Sequence, residues 1–457
     1  MFSKKTYSDR RQQLKSSVPS GILLFLGNDE QGLHYEDNCF RFRQDSTFLY
    51  YFGQNTPGLA AVIDIDNDVE IVFGNELSMD AIVWMGNQPT LKEKCEAVGI
   101  QKVLPYNDLY SYLANAIEKN QSIHYLPPYR PEHRLKLSEY LNIKISDIKS
   151  SVEFIKGVVK QRSIKSEEEI IEIEKACNIT AAMHLAAIRS VKAGMKEYEI
   201  AAIVEAAAKS KGADLSFPVI ASINGQTLHN HYHGNTINEG DLFLLDAGAE
   251  TPMGYAGDMS STFPVSKKFT TRQKEIIHIQ NAMHLASVKA LKPGIAFEKV
   301  YDLSAKVMVD GLKDLGLMKG DATEAVAAGA HALFYPHGLG HMMGLDVHDM
   351  ENFGETWVGY NGKAKSTQFG RKSLRLAREL EEGFVLTIEP GIYFIPELID
   401  LWKKDNKFNQ FINYDVVEKY KDFGGVRNEE DYLITSEGSK LLGNKIPLTP
   451  EEYEVLR

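Results

Sequence analysis

The chain echoes itself once. Residues 182–194 read AMHLAAIRSVKAG and residues 282–294 read AMHLASVKALKPG, with seven of 13 positions identical at an offset of 100 residues. Two amphipathic helices of similar composition would share some of these letters. A duplicated unit accounts for more, because each copy closes a helical stretch on a glycine, enters a second helix and then reaches strand-like segments. Ahead of the first copy, residues 166–169 read SEEE, a capping box in which Ser166 accepts a backbone N–H and Glu169 reaches back. Behind it Ile170, Ile173, Cys177, Ala181, Leu185 and Ile188 recur every three or four residues, one face of a long helix. Gly194 ends that helix, and a second covers residues 196–210. Packed about a pseudo-twofold axis, two such halves bring the strand-like segments behind each helix pair to their common join.

Residues 1–160 read differently. Strands are expected at 21–27, 59–65, 69–74, 101–104 and 122–126, with helices over 5–18, 90–98 and 107–119 between or beside them. This alternation predicts a smaller mixed-sheet domain and, over residues 161–457, a larger one holding the two halves. The class is α/β, or α+β by segregation of its layers.

The ends of strand-like runs carry the chemistry. Residues 241–258, DLFLLDAGAETPMGYAGD, place Asp246 after an apolar run and Asp258 at the end of a second short segment. Two carboxylates in one interior are costly without a cation. Three more segments set a ligand type beside Gly or Pro: HGLGHMMGLDVHD (337–349), VLTIEPG (385–391) and GGVRNEED (424–431). Together they offer Asp246, Asp258, His341, Glu389 and Glu429, an oxygen-rich set suited to two adjacent divalent ions bridged by a hydroxide. Arg427 is placed to bond a ligand carboxylate or to hold the substrate's neighbourhood. The run HNHYH (229–233), read as a strand, puts three histidines on one face, and His229, or else His231, is the candidate donor to an oxyanion. The charged stretch 394–424 reads as a solvated excursion.

Absences narrow the class. HExxH, GxSxG, GxxxxGK[ST] and strand-borne GxGxxG motifs are missing, which removes the usual entry points of zincins, serine hydrolases, phosphate-loop NTPases and nicotinamide dehydrogenases. A formal charge of -11, with 51 Lys plus Arg against 62 Asp plus Glu and no basic arm, argues against nucleic acid. No apolar run reaches a membrane-spanning length. Three widely spaced cysteines, Cys39, Cys95 and Cys177, fit reduced thiols in a cytoplasmic protein.

These motifs resemble the pita-bread metallopeptidases, with LLDAGAE around Asp246, GYAGDMSSTFPV around Asp258, HGLGHMMGLDVHD, TIEPGIY and GVRNEED, while FRFRQDSTFLYYFG (40–53) resembles the signature of the smaller N-terminal domain. The branch it looks most like is the Xaa-Pro aminopeptidases, with the Xaa-Pro dipeptidases next. The resemblance implies a dinuclear site of Asp246, Asp258, His341, Glu389 and Glu429, usually filled by manganese. It implies roles near substrate for His229 and His348, a supporting histidine in His337 and a site arginine in Arg427. Peptides with a penultimate proline are the implied substrates, Glu389 the implied proton carrier, and a homo-oligomer, dimer or tetramer, the implied assembly. Tyr393 is a candidate wall of the proline pocket.

Overall fold

The computed structural model describes residues 1–457, which divide into two compact units, Met1–Arg162 with Met350–Trp357, and Ser163–Asp349 with Val358–Arg457. No helix is long and apolar enough to cross a membrane.

The first unit is built on a five-stranded sheet. Its strands are β1 (Ile22–Leu26), β2 (Ala60–Asp64), β3 (Val69–Phe73), β4 (Lys102–Leu104) and β5 (Ile123–Tyr125), in the order β4-β3-β2-β1-β5. The three central strands pair antiparallel, and β4 and β5 join the edges in parallel. Parallel edges need helical crossovers, which cover the faces, so the central strands read as continuous apolar runs. On one face Ile22, Leu24, Val62, Ile71 and Phe73 pack with Leu109, Leu113 and Leu137 of two helices. On the other, Phe25 meets Phe52 and Phe154 edge-on, each at 5.1 Å between ring centroids. Residues 350–357 belong to this unit, where the Lys156 ammonium lies 4.4 Å from the Trp357 ring centroid.

The second unit repeats one arrangement. In its first half α1 (Glu167–Ser190) and α2 (Glu197–Lys209) are followed by β6 (Ile220–Ser222), β7 (Leu242–Ala247) and β8 (Met259–Pro264). In its second half α3 (Thr271–Ala290) and α4 (Phe297–Asp314) lead to β9 (Val385–Ile388), β10 (Gly391–Tyr393), β11 (Gly425–Arg427) and β12 (Glu430–Ile434). Both long helices start from capping boxes, Ser166 with Glu169 and Thr270 with Gln273. Both helix hairpins turn on a glycine with positive φ, Gly194 at 92° and Gly294 at 83°, a conformation that strains other residues. Each glycine N–H then donates over 2.8 Å to a later segment, Gly194 to the Ile237 carbonyl and Gly294 to that of Leu380.

Within the sheets, β7 lies between β6 and β8, all antiparallel, with Asp246 opposite Ser260. Strand β9 pairs with β12, setting Ile388 opposite Glu430. An isolated bridge between Ser260 and Glu429 ties the halves together at their join.

Three expectations change. Asp258 does not end a strand; it stands just before β8, because the chain between β7 and β8 forms a separate short strand, Ala249–Glu250, against Asp214–Leu215. Residues 229–233 are not a strand but an irregular loop, so their histidines share no face. The stretch 394–424 is not simply solvated: helices Pro396–Lys404 and Tyr414–Val417 bury Ile399, Trp402, Tyr414 and Val417, and Ile412 between them is buried as well.

Candidate metal centre

Strand alternation decides what enters the join. On β7 the side chain of Asp246 faces the same way as Ser260 on β8, its register partner, and Asp258 lies two residues before Ser260. Ser260 donates to Glu429 Oε2 at 2.9 Å, and its own oxygen accepts from Arg427 Nε at 3.0 Å. The Glu429 and Ser260 backbones bond reciprocally. Two residues further on, Thr262 Oγ1 donates to the Arg427 carbonyl and accepts that residue's N–H. Position 260 thus sets the two halves in register.

His341 comes from the loop between α4 and β9. Gly340 before it passes so close to β9 that a Cβ would lie 2.0 Å from the Thr387 carbonyl oxygen, which explains the glycine. The His341 Nδ1 donates to the Met342 carbonyl at 3.1 Å, leaving the Nε2 lone pair aimed inward. That atom stands 3.4 Å from Asp258 Oδ2, 3.7 Å from Glu429 Oε1 and 3.9 Å from Glu389 Oε1. Such separations exceed hydrogen bonds but suit donors that share an ion, each about 2.1 Å away.

Three ligand groups arise, each with its atoms within 4.8 Å of one another: Asp258, His341 and His348; His341, Glu389 and Glu429; Asp246, Asp258 and Glu429. The buried Oδ1 atoms of Asp246 and Asp258 have no hydrogen-bond partner. Orphaned, buried carboxylate oxygens beside a neutral imidazole are what divalent cations satisfy, so the residues fit a dinuclear metal site.

The electrostatics agree. Burial, then the charges of Glu429 and Asp246, pushes the Asp258 carboxyl well above the ordinary value. Burial, followed by Glu389 and Asp246, does the same to Glu429. Burial raises Glu389 to about 7, with Arg427 and Arg375 opposing. His341 is held well below the ordinary value by burial and then by His348, whose ring centroid lies 3.9 Å away. Burial and mutual repulsion thus make Asp258, Glu389 and Glu429 hold their protons more tightly than free carboxyls do.

The surrounding residues brace it. Arg427 reaches Asp246 Oδ2 at 2.6 Å and the Tyr393 hydroxyl at 2.9 Å. His337 Nε2 also meets that hydroxyl at 2.9 Å, and its Nδ1 donates to the Gly338 carbonyl. Burial, then Arg427, depresses His337 to about 3, so it stays neutral. Tyr393 is fully buried and is therefore a brace rather than a wall for substrate. His229 is exposed on its loop, yet partial desolvation and then Arg427 lower its pKa. His231 is exposed and outside the ligand groups.

Sequence reasoning missed Ser260, Asp431 and Arg375. Period-two polarity in Asp258, Ser260 and Thr262 signals the first. Asp431 accepts the Asp258 N–H and the Cys177 thiol, both at 3.1 Å, a contact across 254 positions that no local pattern reveals. Arg375 lies in a segment without regular structure, yet its charge acts on Glu389, His229, His337 and His341.

Residues 172–436 match the profile described as Metallopeptidase family M24, and residues 7–125 match that of Aminopeptidase P, N-terminal domain. The chain belongs to metallopeptidase family M24. It is 31% identical to the Xaa-Pro dipeptidase of Homo sapiens, over 97% of this chain and 90% of that protein. It is 32% identical to a probable Xaa-Pro aminopeptidase of Pyrenophora tritici-repentis, over 94% of this chain and 90% of the relative. Among solved structures, an alanine variant of Escherichia coli aminopeptidase P in complex with substrate superposes with a TM-score of 0.81 at 28% identity, over 100% of this chain and 98% of the other. Escherichia coli aminopeptidase P with the inhibitor Pro-Leu gives a TM-score of 0.79 at the same identity and coverage. The second unit therefore has the pita-bread fold, and the protein is a metallopeptidase.

Proposed function

We propose that this metallopeptidase hydrolyses the bond between an N-terminal residue and a penultimate proline, as an Xaa-Pro aminopeptidase. One observation carries the reading: the three ligand groups overlap, since Asp258, His341 and Glu429 each belong to two of them, which suits adjacent ions. Asp246, Asp258, His341, Glu389 and Glu429 hold the pair, with Mn2+ as the physiological metal. Divalent ions held there would lower the pKa of a water and supply a hydroxide near neutral pH.

The chain's own residues complete the reaction. Glu389 takes up the proton released by that water and returns it to the proline nitrogen. His229 and His348 donate toward the carbonyl oxygen as charge grows on it. Arg427 holds Asp246 in place, and His337 holds Tyr393, which in turn supports Arg427. A proline nitrogen has no hydrogen to donate, so a site with no acceptor at that point favours it.

A second reading, Xaa-Pro dipeptidase, is favoured by Arg375. A positive group whose charge is felt by Glu389 and His229 would read the carboxylate of a dipeptide. Assays of the manganese-loaded protein on Xaa-Pro, Xaa-Pro-Xaa and Xaa-Ala peptides separate the two. Cleavage of tripeptides supports the aminopeptidase reading. Confinement to dipeptides, with KM rising about tenfold or more in Arg375→Ala, supports the second.

We propose further that the chain acts in the cytoplasm, in keeping with its three free thiols. It assembles as a homo-oligomer through the first unit. There the helix Met79–Met85 buries none of its residues and leaves Trp84 86% exposed, an apolar surface suited to an interface. Light scattering checks the assembly.

A further inference from the structure

The echoed helices share one histidine, His184 in α1 and His284 in α3, both fully buried and neither in a ligand group. His184 Nε2 lies 3.2 Å from the Ala247 carbonyl, and its Nδ1 lies 2.7 Å from Ser261 Oγ. A carbonyl only accepts, so Nε2 carries the ring proton and Nδ1 accepts from the serine. One imidazole thereby ties β7 to β8 from the helix side, while Asp246 and Ser260 point the other way.

His284 repeats the arrangement in the second half. Its Nε2 is 3.0 Å from the Tyr432 hydroxyl and 3.3 Å from Glu430 Oε2. Tyr432 donates its own proton to Glu430 at 2.8 Å, so the histidine supplies the remaining N–H. Its Nδ1 has no partner, which suits a bare lone pair better than a buried N–H. Glu430 and Tyr432 alternate along β12, on the face opposite Glu429.

Ala247 directly follows Asp246, and Glu430 directly follows Glu429. We propose that His184 and His284 are positioning residues, each fixing the residue that follows one carboxylate ligand and so aiming Asp246 and Glu429 at the metals. This rests on the ligand reading of those two carboxylates. The duplication thus retains one orienting device per half although the ligands differ.

The test titrates metal-free protein with Mn2+ by calorimetry, for the wild type, His184→Leu, His284→Leu, His184→Gln and His284→Gln, alongside thermal melts in chelator. The expected result is an affinity loss of about 10- to 100-fold in each leucine variant, with partial recovery in the glutamine variants, which keep an N–H. Wild-type affinity and stoichiometry in variants that only melt at lower temperature would overturn the proposal. Should a leucine variant not fold, its glutamine counterpart decides, because an amide cannot reproduce the ring geometry and must still weaken binding. A wild type that takes up no metal overturns the ligand reading itself, and this proposal with it.

Discussion

The two halves of the second unit begin alike. Ser166 and Thr270 cap their first helices, Gly194 and Gly294 turn their hairpins, and the bridges Lys196 to Thr236 and Ala296 to Glu379 come at corresponding places. They end differently. The first half reaches its ligand strands quickly and supplies two carboxylates, Asp246 and Asp258. The second inserts a long irregular segment, from which His341, His348 and Arg375 come, before β9 delivers Glu389 and the chain preceding β12 delivers Glu429. Repetition serves the scaffold, where burial and capping impose the same demands on both copies. The site needs unlike donors, and divergence supplied them.

The sharpest way to break this comparison is to remove one ligand from each half. Glu429→Ala is expected to bind fewer than two ions and to lose turnover to background, and Asp258→Ala should do the same from the first half. Metal analysis of the purified variants checks both. If either kept two ions and full turnover, its half would not share the site.

A smaller effect separates histidines of the first half from one another. His229→Ala should retain both metals and lose about 10²- to 10³-fold in kcat, whereas His231→Ala should keep wild-type rates. Steady-state kinetics decides. Equal losses would mean that the loop acts as a unit.

How much of the fold and the site is legible in the sequence depends on where each residue sits. Asp246, His341 and Glu389 can be read because each stands beside Gly or Pro or at the end of an apolar run, and Glu429 because its segment, GGVRNEED, opens on two glycines and sets an arginine among carboxylates. Both capping boxes are local patterns, and the repeat announces the helix pairs. The loop at 229–233 misleads because alternating letters mimic a strand, while Gly234 and the polar context deny it sheet partners. Asp258 reads as a strand end, yet Gly257, not the aspartate, marks the break: a Cβ there would meet the α1 backbone at 2.8 Å. Tyr393 reads as a pocket wall, and only its 2.9 Å contacts with Arg427 and His337 show it as a brace. Arg375 and Asp431 act through space, and no spacing rule reports that.

Burial at the join of the halves makes the contribution of its titratable groups to stability depend on pH. In metal-free protein Asp258 and Glu429 hold protons that the unfolded chain has already released. Folded pKa values raised in this way favour folding at low pH and cost stability as pH rises. Neutral buried His337 and His341 act oppositely, but only below their ordinary value of 6.5. Metal-free protein should therefore lose stability as pH rises above about 6.5, and Mn2+ should remove that slope, since bound carboxylates are ionised in any case. Chemical denaturation at several pH values, with and without metal, measures it. A stability that rises over this interval would contradict the buried carboxylate cluster.

The smallest effect tests the scaffold alone. Ser166→Ala and Thr270→Ala each remove one half of a capping box and should cost about 1 kcal/mol apiece, leaving metal binding unchanged. Unequal costs would show that one half has drifted from the shared plan.

The account's central claim is that distant carboxylates from both halves converge with His341 on two cations. Titrating metal-free protein with Mn2+ while counting ions bound per chain tests it directly. Two ions per chain are predicted, falling below two in Glu429→Ala. A folded wild-type chain that binds none, or that binds two regardless of Glu429, would contradict it.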